Sequence, residues 1–145
     1  MKYSVLIQFL IFAIFISCDG EDNSLSDQDK RTILLSKKWN VASVSLNNVD
    51  ITNLGYTLTK IEFKANGTWE ATQGGDIFNN SGTWVFSNEE FTKISMSGKE
   101  VSYTLNEQGS NLELFFSLTS TSPIGGRGST IEGDYMIFLL PSYPN

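Results

Sequence analysis

The 145-residue chain has no histidine and a single cysteine. Without histidine it has no imidazole base, no histidine-containing catalytic triad and no histidine metal ligand. A single cysteine excludes an internal disulfide and a zinc site made of thiolates. Proline is also scarce, with three residues, and 40% of the chain is hydrophobic, which excludes a disordered or collagen-like protein. This length and composition favour one domain.

Basic residues are few: ten lysines and arginines stand against sixteen acidic residues, for a formal net charge of -6. Nucleic acid is therefore not an expected partner, because phosphate binding needs a positive surface. The negative charge is unevenly spread, since five acidic and no basic residues lie from Asp19 to Asp29. We expect residues 18–29 to form a solvated acidic tether in front of a nearly neutral domain at 30–145.

A hydrophobic run is present only at the start of the chain, at residues 5–16, where Gln8 is its one interruption. Its length fits the roughly 7–15 residues of a signal-peptide core and is short of the roughly 20 that cross a bilayer as a helix. The run ends in Phe15-Ile16-Ser17-Cys18, which resembles a bacterial lipobox. That resemblance implies a signal peptide at 1–17 and acylation of Cys18. An uncleaved anchor helix with an incidental cysteine is the alternative.

The resemblance to a lipobox also implies a membrane partner and a location. Several acyl chains on Cys18 would hold the protein firmly in a membrane, because each buried CH2 group contributes about 0.8 kcal/mol and a single chain binds only marginally. We expect an outer membrane lipoprotein that faces the periplasm or the cell surface. The acidic residues just behind Cys18 are similar to the export signal of surface lipoproteins in some two-membrane bacteria, and a plain spacer is the other interpretation.

Residues 27–37 (DQDKRTILLSK) are the one predicted helix, because Ser26 and Asp29 have the spacing of a capping box. Beyond it the hydrophobic period changes to two. Residues 60–65 alternate charged and apolar side chains, and Asn66-Gly67 is a hairpin signal. Similar alternation continues to a last strand at 134–140, with the first strand at 38–46.

About eight strands follow one another without helices between them, which favours an antiparallel barrel or sandwich. We predict an all-β fold: an up-and-down barrel with the short helix packed outside. Four apolar side chains are then expected on the outer face: Phe115, Met136, Phe138 and Leu140. We expect Ile33 and Leu34 of the helix to cover them, because an exposed apolar patch needs a partner. A last strand buried on both faces of a sandwich is the alternative.

Four stretches of the chain are similar to the lipocalin-like domain of bacterial lipoproteins. They are Lys37-Lys38-Trp39-Asn40-Val41, LTKIEFKANGTWEAT at 58–72, SGTWVF at 81–86 and GDYMIFL at 133–139. The resemblance covers residues 33–140 and implies a barrel that binds a small apolar molecule. Trp39 matches the tryptophan of the family's Gly-x-Trp signature, whereas Lys37 replaces the glycine. The family also places an arginine over that tryptophan, and Arg127 is the one candidate for it.

A small barrel either fills its interior with side chains or leaves room for one ligand. The candidate ligand contacts are the large inward-facing residues and one loop cation: Trp39, Phe63, Trp69, Trp84, Tyr103, Phe116 and Arg127. The long segments 47–57, 73–81 and 119–132 are expected at the open end. Their tips carry the apolar residues Tyr56, Ile77, Phe78 and Ile124. For each aromatic residue, a place in a filled core is the alternative.

We therefore expect a lipid-anchored, non-enzymatic binding protein of the bacterial envelope, without a cofactor or metal, that holds a small apolar or amphiphilic ligand in the barrel mouth. The second interpretation is a solid-core barrel whose loops bind an envelope protein. A small hydrolase is the third. It is disfavoured because Glu89-Glu90 and the pair Glu132 and Asp134 occur in no recognisable motif, and because the glycine-rich segment 122–130 lacks the Gly-Lys-Ser order of a phosphate loop.

Overall fold

The computed structural model describes residues 24–74, 76–119, 124 and 131–143. Cys18, the signal peptide and Arg127 lie outside the described residues. The described residues form one helix and nine strands in this order: α1 Asp27–Leu35, β1 Lys38–Leu46, β2 Val49–Asp50, β3 Lys60–Phe63, β4 Thr68–Thr72, β5 Ser81–Phe86, β6 Lys93–Met96, β7 Lys99–Leu105, β8 Leu112–Leu118 and β9 Gly133–Pro141. A 3₁₀ turn at Thr52–Leu54 follows β2.

Eight of these strands close into an antiparallel barrel, which confirms the predicted fold class. The sheet order is β2-β1-β3-β4-β5-β6-β7-β8-β9, and β1 also pairs with β9. The closing ladder runs from Trp39 opposite Pro141 to Leu46 opposite Tyr135. β2 is the extra strand, because it pairs only with the end of β1, where Leu46 is opposite Val49. Each barrel strand therefore lies beside its neighbours in the chain, as in an up-and-down barrel.

The interior is lined by the alternate residues that the period-two pattern predicts. Their side chains form one core, in which the largest fully buried members of the barrel wall are Trp39, Ile61, Phe63, Trp69, Ile94, Met96, Leu112, Leu114 and Ile137. One irregularity occurs in β1, where the register shifts between Val41 and Ser43. This bulge lets both Val41 and Val44 face inward, although they are three residues apart.

The barrel has two structurally different ends. The helix end carries α1 and the β3–β4, β5–β6 and β7–β8 connections, at residues 64–67, 87–92 and 106–111. At the opposite end, which we call the loop end, lie the described residues of the long segments 47–59, 73–80 and 119–132, together with the tight turn at 97–98. The described residues thus place the short turns and the helix together, and the long connections together.

Helix α1 begins as predicted and ends two residues earlier than predicted. The Ser26 hydroxyl accepts a hydrogen bond from the backbone N–H of Asp29 at 3.1 Å, which is the expected N-terminal cap. The helix ends at Leu35, and the N–H of Ser36 donates to the carbonyl of Thr32. Only Ser36 and Lys37 then separate α1 from β1, so the helix stays beside the start of its own strand.

The predicted cover of the outer face by α1 is wrong, although the helix does lie outside the sheet. Ile33 is 58% exposed, and Met136 and Leu140 on the outer face remain 41% and 43% exposed. The buried residue of the helix is Leu35, which is fully enclosed at the helix end. The two-residue link to β1 explains the difference, because it is too short to let the helix reach the outer wall.

Candidate functional site

Six of the seven predicted ligand contacts are described, and all six lie inside the barrel. Their exposed fractions are 0% for Trp39 and Trp69, 1% for Phe63, 3% for Trp84, 6% for Tyr103 and 7% for Phe116. The period-two pattern therefore placed these side chains on the correct face. Arg127, the seventh, lies outside the described residues, so its part in a site stays a prediction.

The polar atoms of the three tryptophans are already bonded within the protein. The indole N–H of Trp39 donates to the carbonyl of Leu35 at 3.0 Å, that of Trp69 to Thr83 at 3.1 Å and that of Trp84 to Lys64 at 3.0 Å. Buried indole groups need such partners. Each tryptophan therefore holds a neighbouring backbone segment, and none of the three N–H groups is directed at an interior ligand.

Tyr103 makes a comparable contact at the helix end. Its hydroxyl donates to the carbonyl of Phe91, a residue whose φ of 52° is unusual for a bulky side chain. Burial raises the pKa of Tyr103, and the charge of Arg31 opposes this rise. The contact ties the β5–β6 connection to β7 and leaves the hydroxyl engaged with the protein.

Aromatic rings contact one another along two lines through the interior. One line passes through Phe63, Trp84, Phe86 and Phe91, with centroid distances of 5.9, 5.4 and 5.1 Å. The other passes through Trp69, Phe78, Phe116 and Tyr135, with distances of 6.1, 6.1 and 5.5 Å. Most of these contacts are edge-to-face, which is a favoured geometry. A ligand entering here would have to separate rings that already pack together.

Apolar residues of the long segments turn inward at the loop end instead of standing at exposed tips. Ile77 and Ile124 are fully buried, and Phe78 is 4% exposed. Phe78 and Ile124 form an isolated parallel bridge, in which the N–H of Ile124 donates to Ile77 and the N–H of Asn79 donates to Ile124, both at 3.0 Å. We call Ile77, Phe78 and Ile124 the loop-end plug. The predicted open mouth is occupied by these three side chains.

Gly74 is required for the plug to reach this position. A Cβ atom placed on Gly74 would lie 2.8 Å from the Cβ of Phe78, which is closer than real Cβ contacts allow. The N–H of Phe78 donates to the carbonyl of Gly74, so the segment folds back on itself there. The absence of a side chain at Gly74 is what lets Phe78 enter the barrel.

Two tyrosines and one carboxylate lie near each other at the loop end. Tyr56 is half-buried, and burial together with the nearby Tyr135 and Asp76 raises its pKa. Burial and Asp76 raise the pKa of Tyr135 as well, and its hydroxyl donates to the carbonyl of Ile131 at 2.7 Å. The phenol groups are therefore held neutral at the border between the core and the loops.

Among the described residues at this same end, four large apolar side chains remain exposed: Val49 at 63%, Leu54 at 71%, Leu58 at 64% and Ile131 at 64%. We call them the loop-end apolar group. They lie on two of the long segments, 47–59 and 119–132. Sequence reasoning did not single them out, because in a polar turn-rich segment an isolated Val, Leu or Ile can equally well point inward. Exposed apolar residues gathered at one end of a protein are typical of an interaction surface.

No family model matches this chain, and neither a curated protein nor a solved structure matches it.

A lysine side chain lies over the ring of Trp39. The Lys37 ammonium group is 5.2 Å from the centroid of the Trp39 ring, and it also donates to the carbonyl of Gly109 at 3.0 Å. One side chain thus contacts both the ring of Trp39 and the β7–β8 connection.

The described residues line one groove on the outer wall of the barrel and another at the helix end. The first, of about 540 Å³, lies on the outer face of β1, β7, β8 and β9 and includes Ser45, Ser102, Phe115, Ser117, Asp134 and Met136 in its lining. The second, of about 450 Å³, lies at the helix end between α1 and the β5–β6 and β7–β8 connections. Its lining is mostly charged and includes Arg31, Glu89, Glu90 and Glu107.

Two carboxylates of the hydrolase interpretation accept hydrogen bonds from nearby polar side chains. Glu90 accepts a hydrogen bond from the Asn88 amide, and Asp134 accepts one from the Ser117 hydroxyl. Among the described residues no group of three or more Cys, Asp or Glu side chains has the arrangement of a metal site. Within the same part of the chain, no helix has the length and hydrophobicity needed to span a bilayer.

Proposed function

We propose that this chain is a lipid-anchored, non-enzymatic protein of the bacterial envelope that binds another envelope protein through the loop end of a filled barrel. The supporting observation is the contrast between the two sets of apolar residues. The interior side chains that would contact a small ligand are at most 7% exposed, whereas each member of the loop-end apolar group is more than 60% exposed. Apolar surface gives binding free energy only where a partner can reach it.

The packing of the interior favours this function over carriage of a small ligand. A ligand would have to displace Phe78, whose ring contacts both Trp69 and Phe116, and break the backbone bonds between Ile124 and its neighbours in the plug. Both losses would oppose binding, because a vacated position loses its packing contacts with the surrounding side chains. Ligand carriage remains the prediction from the lipocalin-like resemblance, and the experiment below distinguishes it from protein binding.

The expected attachment point agrees with a loop end that is directed away from the membrane. The nine residues from Cys18 to Ser26 reach at most roughly 30 Å when fully extended. They lead into α1, which lies at the helix end. A lipid on Cys18 would therefore hold the helix end near the membrane and leave the loop-end apolar group accessible to a partner.

The test uses the full-length protein in its native envelope. A photo-activatable amino acid at Leu54 is expected to form a cross-link to one discrete protein, and the same group at Val85, which is 60% exposed on the outer face of β5, is the matched control. Leu58→Ser is expected to reduce the Leu54 cross-link at least about fivefold. Equal labelling from both positions would contradict a binding surface at the loop end.

Native mass spectrometry of the detergent-released protein tests the other function. If the interior is filled, we expect the mass of the acylated chain and no additional compound. A stoichiometric small molecule that copurifies, and that is lost when Phe116 is replaced by alanine, would support ligand carriage instead. The two experiments together separate a protein partner at the loop end from a ligand in the barrel.

A further inference from the structure

The outer wall of the barrel carries a second unpartnered apolar surface, away from the loop-end apolar group. Register places Phe115 on β8 opposite Met136 on β9, and Ser102 and Ser45 flank this pair on β7 and β1. Phe138 and Leu140 continue the apolar surface along β9. Met136 and Leu140 are 41% and 43% exposed, and Phe115 and Phe138 are half-buried.

The sizes of neighbouring side chains make this surface a groove. Ser45, Ser102 and Ser117 are small and stand beside the bulky Phe115 and Met136, so a recess of about 540 Å³ forms between them. The recess crosses four adjacent strands, a width of roughly 14 Å at about 4.8 Å between strands. One helix, about 10 Å across, or one extended strand fits this width, whereas a second sheet does not.

The rim of the groove is negatively charged. Asp134 and Glu100 belong to its lining. Glu113 lies opposite Phe138, on the side of the groove nearer the helix end. Lys93 pairs with Glu100 at 2.8 Å and neutralises that one carboxylate. Asp134 accepts a hydrogen bond from a neutral hydroxyl, and no described residue forms an ion pair with Glu113 or Asp134. Two negative charges beside the apolar floor therefore have no positive counterpart among the described residues.

We propose that this groove binds a protein segment that carries apolar side chains flanked by lysine or arginine. The apolar floor of Phe115 and Met136 would bury the apolar side chains, and the carboxylates of Glu113 and Asp134 would pair with the cations. A second copy of this chain is a poor occupant, because its nearly neutral domain at 30–145 offers no excess of positive charge. Anionic lipid head groups and nucleic acids would be repelled by the carboxylates of Glu113 and Asp134.

The test uses the full-length lipoprotein in nanodiscs of zwitterionic lipid. The probe is a seven-residue peptide in which leucine and phenylalanine alternate with lysine, and its counterpart has glutamate in place of lysine. We expect the lysine peptide to bind discs that contain the protein more tightly than empty discs, and the glutamate peptide to show no such difference. Binding of the lysine peptide should weaken as salt is added.

Glu113→Gln combined with Asp134→Asn is expected to weaken binding of the lysine peptide at least about threefold, and Phe115→Ser should weaken it further. Glu107→Gln at the helix end and Val85→Ser on β5 are matched controls that should leave binding unchanged. If Phe115→Ser does not fold, the variant with Glu113→Gln and Asp134→Asn still tests the proposal. Equal affinity for the two peptides, or an unaffected carboxylate variant, would overturn the proposal. The result does not bear on the loop-end proposal, whose variants lie elsewhere.

Discussion

The ammonium group of Lys37 lies 5.2 Å from the centroid of the Trp39 ring and 3.0 Å from the carbonyl oxygen of Gly109. One side chain therefore connects the link between α1 and β1, the tryptophan at the start of β1 and the β7–β8 connection. Trp39 in turn donates to the carbonyl of Leu35. These contacts close the helix end. They join residues 35–39, which are neighbours in sequence, to the β7–β8 connection, where Gly109 is 72 residues further along the chain than Lys37.

Replacing Lys37 by alanine is expected to lower the free energy of unfolding by roughly 1–2 kcal/mol. The variant loses a cation–π contact, about 0.5–1 kcal/mol, and a hydrogen bond to a carbonyl, about 0.5–1.5 kcal/mol. Urea unfolding followed by tryptophan fluorescence measures the change. Lys60→Ala is the matched control, because Lys60 is exposed on β3. If the two variants have the same midpoint, the Lys37 contacts do not stabilise the fold.

Leu35→Ala is expected to cost roughly 2–5 kcal/mol, because Leu35 is fully buried beneath the barrel and its truncation leaves a cavity. Ile33→Ala, two residues away on the same helix, should change stability by less than about 0.5 kcal/mol, because Ile33 is 58% exposed. Thermal unfolding of both variants compares them directly. A comparable loss for Ile33→Ala would show that the helix also packs through its other face.

The sequence pattern predicts the barrel wall well because the alternation that defines each strand lies within a few consecutive residues. In β3, β4 and β7 apolar residues alternate with polar ones, so the inward positions can be read without knowing the neighbours, and β1 has the predicted bounds. The bulge at residues 41–43 is harder to predict. Whether Val41 and Val44 both face inward depends on the pairing of β1 with β9, which is a contact between opposite ends of the chain.

The two barrel ends could not be predicted in this way. Ile33, Leu34 and Leu35 are consecutive, and the one that becomes buried is decided by the length of the link to β1. The plug residues Ile77 and Ile124 lie 47 positions apart, and their burial comes from a backbone bridge between two loops. An apolar residue in a glycine-rich loop has the same sequence signal whether it closes the barrel or stands at its rim, as Ile131 does.

Phe78→Ala tests whether the loop-end plug is part of the core. If it is, the loss should be roughly 3–5 kcal/mol, since Phe78 is 4% exposed and contacts Trp69 and Phe116. Val85→Ala on the outer face is the control, with a change of less than about 0.5 kcal/mol. A small effect of Phe78→Ala would mean that the plug is a loosely held cover, and ligand carriage would then regain support.

Cys18→Ala is expected to release the protein from membranes. The parent should enter the detergent phase of a Triton X-114 separation, because several acyl chains would be buried, whereas the variant should remain in the aqueous phase if its signal peptide is still removed. Mass spectrometry of the processed chains identifies the acyl groups. Ser17→Ala keeps a small residue before the cysteine and should leave the partitioning unchanged. A Cys18→Ala protein that has lost its signal peptide and still enters the detergent phase would contradict the lipobox interpretation.

Alkaline solution is expected to destabilise the protein through Tyr103. Burial raises the pKa of Tyr103 above the ordinary value of 10.0, so the folded state keeps the phenol proton at a pH where the unfolded chain loses it. The stabilisation is present in full below pH 10 and is lost as the pH rises towards the pKa of the folded protein. The free energy of unfolding should therefore fall above pH 10, where ionisation of Tyr56 and Tyr135 adds to the loss.

Tyr103→Phe separates the contribution of this residue. At pH 7 the variant should be less stable by about 1 kcal/mol, because the hydrogen bond to the Phe91 carbonyl is lost and that carbonyl is left without its partner. Between pH 9 and about 11 its stability should fall less steeply than that of the parent, because one raised phenol pKa has been removed. Urea midpoints at each pH provide the comparison. Parallel curves for the two proteins would mean that Tyr103 ionises equally easily in the folded and unfolded states.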